Sequence, residues 1–323
     1  MIKTINRFSI IALSALLFTA CIEPKVDMPN KSEIHKANTD YSNTLENINS
    51  MIATFHNGKP MIVVVTPIQD RTASKGKVPQ DITDIVKTSF NKIGNSVTTL
   101  FNYNGSKDKR QVYIINGAIT EFDVIQATES GVSAAIEIGN RNQRANADGG
   151  LKDGSKITKL ALNFNPANPK TGAYIPRTST SNKITIYQKK SANEFAFSIL
   201  GSGFGFSNGV TKTQGLHSSI TVLAELSVAE VLGKLGKFPY WVLTKGKADP
   251  DVFSYLSKTF LRDSIALKIK KVSYLLSIHG YNIQPSSVMT PSLKEAIIQY
   301  KSKKSLEVNG FITKKLYLSL LEN

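Results

Sequence analysis

The sequence predicts an α/β domain with two long β-hairpins, followed by a small all-α domain. Three observations support this prediction. Strand-like and helix-like patterns alternate over residues 59–120, residues 121–165 and 174–206 contain long period-two segments, and residues 264–323 carry helical patterns. With 323 residues, 41% of them hydrophobic and 20% charged, the chain is large enough for both domains. This composition excludes a disordered polymer and a polytopic helical membrane protein.

The chain begins with a pattern typical of an export signal. Lys3 and Arg7 precede an apolar run over residues 8–18, and the small residue Ala20 precedes Cys21, the only cysteine. This arrangement resembles the lipobox of bacterial lipoproteins. It implies that residues 1–20 are a signal peptide and that Cys21 is lipidated; the alternative is an ordinary signal followed by a chance cysteine. By the same analogy, Ile22 favours an outer-membrane location facing the periplasm, with residues 21–58 as a lipid-anchored tether.

The first elements of the α/β domain are short. A β-branched run at residues 61–65 predicts a buried strand, and residues 81–93 have apolar positions at helical spacing before Gly94. Residues 97–103 and 112–115 predict two further strands. No run of about 20 apolar residues occurs, so the sequence predicts no spanning helix.

The segment over residues 121–139 alternates strictly with period two, and its even positions carry no charge. This run exceeds the 9–11 or so residues that a tilted strand needs to cross a bilayer. With a return strand at residues 156–165, it predicts the first long hairpin, 121–165. If the hairpin belongs to a membrane barrel, the residues that line the pore are Glu121, Asp123, Glu129, Glu137 and Lys159.

A second hairpin is predicted over residues 174–206, turning near residues 189–193, with aromatic residues at its ends as in membrane barrels. For both hairpins, a water-soluble antiparallel sheet with one packed and one wet face fits the pattern equally well. The sequence alone therefore leaves the transmembrane interpretation open.

Helical patterns dominate the rest of the chain. Residues 215–235 predict a helix that ends at Gly236, and Asp249 followed by Pro250 predicts the cap of a linker helix over residues 249–263. Residues 264–323 carry a net charge of +6.

Residues 63–72, 113–119 and 168–172, together with the 215–235 helix and Trp241, resemble the CsgG family of curli secretion lipoproteins. The resemblance covers about residues 59–243, within a predicted domain over residues 59–248. It implies a homo-oligomeric ring in the outer membrane, in which each subunit contributes two hairpins to a shared barrel above a periplasmic α/β domain.

Residues 264–323 resemble the small helical peptidoglycan-binding domain of envelope proteins, through residues 280–281, 290–300 and 306–312. The resemblance and the local positive charge imply that peptidoglycan is bound by Tyr281, Tyr300, Lys301, Lys303, Lys304 and Asn309. A lysine cluster is equally often a solvated face, whereas the functional interpretation is attraction to the carboxylates of peptidoglycan stem peptides.

No catalytic or metal-binding pattern is visible in the sequence. One cysteine and four histidines offer no thiolate cage, metal spacing or Ser–His–Asp arrangement, so we expect no enzyme activity, no metal and no cofactor. The net charge of +16 does not predict nucleic-acid binding, because no recognition module accompanies it and an exported lipoprotein does not meet nucleic acid.

The sequence therefore predicts an outer-membrane lipoprotein that forms a secretion or surface-assembly channel tethered to peptidoglycan. Its expected partners are further copies of itself, outer-membrane lipid, peptidoglycan and secreted or pilus subunits. The first alternative is a structural or regulatory envelope lipoprotein without a pore, such as a pilus or flagellar collar or an activator of wall synthesis. The second is a wall hydrolase.

Overall fold

The computed structural model describes residues 40–56, 58–103, 105, 111–128, 131–135, 156–188, 195–201, 211–213, 215–244 and 246–322. Its helices are α1 (Asp40–Phe55), α2 (Thr83–Asn91), α3 (Leu216–Gly236), α4 (Tyr240–Thr244), α5 (Pro250–Phe260), α6 (Ile265–Ile278), α7 (Pro291–Lys303) and α8 (Lys314–Leu321). Its strands are β1 (Met61–Val65), β2 (Gln69–Asp70), β3 (Val97–Leu100), β4 (Val112–Thr128), β5 (Gly131–Ala135), β6 (Lys156–Ala167), β7 (Thr180–Gln188), β8 (Phe195–Gly201) and β9 (Thr211–Thr213).

The strands form one mixed sheet in the order β3-β1-β4-β6-β7-β8-β9. The strand β1 pairs in parallel with β3 and β4, and every pairing from β4 to β9 is antiparallel. One edge of β4 pairs with β6. The other edge pairs with β1, β2 and β5 at successive positions along the strand. The predicted mixed α/β class with a helical C-terminal region is therefore confirmed.

One face of the sheet carries the main hydrophobic core. Leu160 and Ile184 are fully buried there, and α3 packs against β6 and β7. Seventeen of the 21 residues of α3 are buried, which explains its apolar composition on all sides. Among the described helices, α3 alone is long and apolar enough to cross a membrane, but 78% of its apolar window lies inside the protein. The core explains its composition.

The prediction of one strand over residues 121–139 is wrong. The strand β4 ends at Thr128, and β5 runs back along it with Gly131 opposite Thr128 and Val132 opposite Ala127. Because directly paired residues point to the same face, the even positions of β4 share a face with the odd positions of β5. Period two alone therefore does not distinguish a long strand from a tight hairpin.

The described ribbons end close to the core. Ile186 of β7 is buried in the main core, and the pairing of β7 with β8 ends two residues later, where Gln188 lies opposite Phe195. The pairing of β4 with β6 ends at Gln126 and Lys156. A membrane-crossing strand needs about 9–11 residues. Within the described residues, no hairpin projects from the core by that length; residues 129–130, 136–155, 189–194 and 202–206 of the predicted hairpins lie outside them.

The C-terminal helices share the core of the α/β part. Asp249 caps α5 by accepting a hydrogen bond from the Val252 amide, as predicted. The hydroxyl of Tyr274 on α6 donates to the Asn47 carbonyl of α1 at 2.8 Å, and the indole Nε1 of Trp241 donates to the Leu321 carbonyl at 2.7 Å. These contacts join the two parts of the chain.

Candidate functional site

The predicted lipidation residue, Cys21, and two of the predicted pore-lining residues, Glu129 and Glu137, lie outside the described residues. The first described helix, α1, begins at Asp40.

The other three predicted pore-lining residues lie on the sheet face opposite the core. Asp123 of β4 is in register with Lys159 of β6, and Glu121 of β4 forms an ion pair with Lys183 of β7. Partial burial and the neighbouring Glu121 raise the pKa of Asp123, while Lys159 and Lys183 oppose this shift. In the described residues, this surface is thus a balanced cluster of two acids and two lysines, rather than an acidic stripe.

The predicted peptidoglycan-binding residues divide into a buried and an exposed group. Tyr300 is buried, and its hydroxyl donates to the Ser319 carbonyl of α8 at 2.8 Å. Its ring meets the ring of half-buried Tyr281 edge-on, with centroids 6.1 Å apart. Tyr300 therefore holds α7 against α8, whereas Lys303 and Lys304 are exposed to solvent.

Lys301 and Asn309 organise the loop between α7 and α8. Lys301 is only 1% exposed, and its ammonium donates to the Asn309 side-chain oxygen at 2.5 Å. The same oxygen accepts from the Phe311 amide at 3.1 Å, and the Asn309 amide donates to Glu307 at 3.0 Å. Burial lowers the pKa of Lys301, and Glu307 opposes that shift. The two side chains thus fix the backbone of the loop.

The surface of this loop carries an exposed aromatic residue among lysines. Phe311 is 73% exposed and Val308 is 59% exposed. Gly310 lets Lys294 of α7 pass closely, because a Cβ on this glycine would lie 2.5 Å from the Lys294 Cγ. We call this region the loop surface; it comprises Lys294, Lys303, Lys304, Val308, Phe311, Lys314 and Lys315.

The sequence prediction missed Phe311, Val308 and Lys294. The Asn309-Gly310 dipeptide is a strong turn signal, and it was the available sign that the neighbouring residues lie in a loop.

A second polar cluster surrounds Asp70 on β2, beside a shallow open pocket. Its carboxylate accepts hydrogen bonds from the Thr72 amide and hydroxyl at 2.8 and 2.6 Å, and from the Ser74 hydroxyl at 2.5 Å. Partial burial raises the pKa of Asp70, but the bonds from Ser74 and Thr72 outweigh it and leave this pKa below its usual value. Because Asp70 is engaged by its own loop, it is a structural residue. The described part of the chain contains no group of three or more His, Cys, Asp or Glu residues that could hold a metal ion.

Comparison with known proteins gives no family for this chain. No protein-family model matches it, and no curated protein matches it. A solved structure described as a neuraminyllactose-binding hemagglutinin homolog from Helicobacter pylori is 13% identical, covering 75% of this chain and 100% of that chain with a TM-score of 0.24.

Proposed function

We propose that this chain is a lipid-anchored structural lipoprotein of the bacterial envelope that binds peptidoglycan and has no pore of its own. The observation that carries the proposal is the loop surface, where buried Lys301 and Asn309 hold the backbone and Phe311 stands exposed. An exposed aromatic ring on a fixed backbone offers a face to the apolar side of a sugar ring. The surrounding lysines attract the carboxylates of stem peptides.

The packing of the described strands against the core favours the function without a pore. Phe122 and Leu160 belong to the hairpin that the sequence predicts to cross the membrane. In the structure, both pack with the main core. The last described pair of β7 and β8, Gln188 with Phe195, lies two residues beyond buried Ile186. A spanning barrel needs a longer strand with one face free for lipid.

We expect Phe311→Ala to weaken co-sedimentation with purified sacculi about three- to tenfold, the loss of one stacked ring. Tyr174→Ala is the matched control, since Tyr174 is an equally exposed aromatic residue in the connection before β7. Lys301 is left unchanged because it is buried. Equal sedimentation of the Phe311→Ala variant and the wild type contradicts the assignment of the loop surface.

We expect Cys21→Ser to remove the protein from the outer-membrane fraction, because the acyl chains are the anchor there. The measurement is immunoblotting of fractionated cells. The control is the double variant Ser14→Cys/Cys21→Ser, which tests whether a cysteine at another position of the signal can replace Cys21. Unchanged outer-membrane fractionation of Cys21→Ser contradicts the lipoprotein assignment.

A ring-shaped channel resembling CsgG is the second candidate. The described sheet ends at β3 and β9, and such open edges favour pairing with neighbouring subunits. Heat-resistant oligomers, lipid-dependent conductance and rings in electron micrographs of detergent-extracted particles support the channel. A monomer without conductance supports the structural role.

A further inference from the structure

A second exposed apolar surface lies at the corner where α5 meets α6, in a part of the chain that the loop surface does not use. Leu261 is 61% exposed and Ile265 is 77% exposed, and Tyr255 lies two turns before the corner on α5. Lys258 and Arg262 are also exposed, and each lies within three residues of two of these side chains in the chain. We call these five residues the α5–α6 corner.

The α5–α6 corner is positively charged because its nearest acid is neutralised. Asp263 is the only acidic residue between positions 252 and 278. Its carboxylate lies 2.6 Å from the ammonium of buried Lys271, on the inner side of α6. Asp251, the acidic residue within α5, pairs with Arg177, so both of these acids are engaged by cations other than Lys258 and Arg262. Lys268 adds a third cation, which donates to the Leu261 carbonyl at 3.3 Å.

Core packing and a helix cap hold the backbone of the α5–α6 corner in place. The ring of Phe260 stacks on that of Tyr317 with centroids 4.0 Å apart, and Ser264 caps α6 by accepting from the Leu267 amide at 3.2 Å. Packing and capping thus fix the turn, while Leu261 and Ile265 project away from the core. Presenting these side chains costs little ordering entropy on binding.

We propose that the α5–α6 corner inserts into the surface of an anionic phospholipid bilayer. Aliphatic side chains at a projecting corner enter the boundary between headgroups and acyl chains, where Tyr255 also fits. The surrounding cations lie at the level of the phosphates and gain from their negative charge. An apolar groove on a protein partner would account for the exposed Leu261 and Ile265. It would not account for the cations that surround them, whereas an anionic bilayer accounts for both.

The test uses the chain from residue 22 onward, so that neither the apolar signal segment nor acyl chains on Cys21 contribute to binding. Flotation is measured with vesicles of phosphatidylglycerol and phosphatidylethanolamine, and with vesicles of neutral phosphatidylcholine. We expect flotation with the anionic vesicles only, weakened by added salt. We expect the double variant Leu261→Ser/Ile265→Ser to lower the bound fraction about tenfold or more.

The matched control is Phe101→Ser/Val288→Ser, which removes two equally exposed apolar side chains elsewhere. We expect this control to float as the parent does. Equal flotation of both double variants, or no flotation of the parent chain, overturns the proposal. Sacculus binding separates this inference from the proposed function, because Leu261→Ser/Ile265→Ser leaves the loop surface intact and should not change it.

Discussion

Replacing Trp241 with alanine is expected to lower the free energy of unfolding by about 3–5 kcal/mol, the usual cost of truncating a large buried aromatic side chain. Trp241 is fully buried in α4, packs edge-on against Tyr240, and donates its indole N–H to the Leu321 carbonyl at the end of α8. Its loss therefore creates a cavity and also frees the last helix from the α/β part. Urea unfolding followed by far-ultraviolet circular dichroism measures the change, because Trp241 is the only tryptophan and its fluorescence is lost.

Two controls separate the cavity from the hydrogen bond. Trp241→Phe keeps most of the ring but leaves the Leu321 carbonyl without this donor, so we expect a smaller loss of about 1–3 kcal/mol. Tyr255→Ala removes a half-exposed ring and is expected to stay within about 0.5 kcal/mol of the wild type. A loss below about 1 kcal/mol for Trp241→Ala contradicts the role of this side chain as the link between the two parts.

The sequence predicted the sheet and its helices well where periodicity and caps decide the structure. The buried run at 61–65, the helix that became α3 and the Asp249 cap all follow from local patterns. The hairpins were less predictable. In β4 and β5, even-numbered positions of one strand pair with odd-numbered positions of the other, as Thr128 with Gly131 shows. The uncharged even series therefore did not mark one continuous face, and only the pairing reveals this.

The lysines of α7 illustrate the same limit for the site. Lys301 follows Leu293 and Ile297 at intervals of four, so helical spacing turns it toward the buried side, whereas Lys303 and Lys304 lie at the exposed end of α7. Treating the three lysines as one cluster ignored this spacing. Asn309 accepts a hydrogen bond from the buried ammonium of Lys301 and so lowers the cost of burying it. Asn309 lies in a loop eight residues later in the chain, so helical spacing could not predict this contact.

The second large effect is expected for Glu230→Ala, which should lower the free energy of unfolding by about 3–5 kcal/mol. Glu230 of α3 is fully buried; it pairs with the Lys234 ammonium at 2.8 Å and accepts from the Asn182 amide of β7 at 2.8 Å. Removing the carboxylate leaves Lys234 with Asp249, 3.9 Å away, and the Ser179 carbonyl at 3.0 Å. The nearly buried ammonium then lacks its closest counter-charge. Urea unfolding at neutral pH measures the loss.

A double-mutant cycle tests whether the cost of Glu230→Ala comes from the uncompensated charge. Lys234→Met removes that charge, so Glu230→Leu/Lys234→Met should destabilise the protein less than the sum of the two single changes Glu230→Leu and Lys234→Met. The exposed Arg177–Asp251 pair, at 2.9 Å, is the control, and Arg177→Ala should cost only about 0–1 kcal/mol because water screens it. Strict additivity in the cycle contradicts this account, because it means that Glu230 stabilises the fold through its bond to Asn182 rather than through Lys234. A coupling of the expected sign means that Glu230 stabilises the fold by compensating the charge of Lys234. Together with a small effect of Arg177→Ala, it shows that an ion pair contributes more to stability when it is buried than when it is exposed.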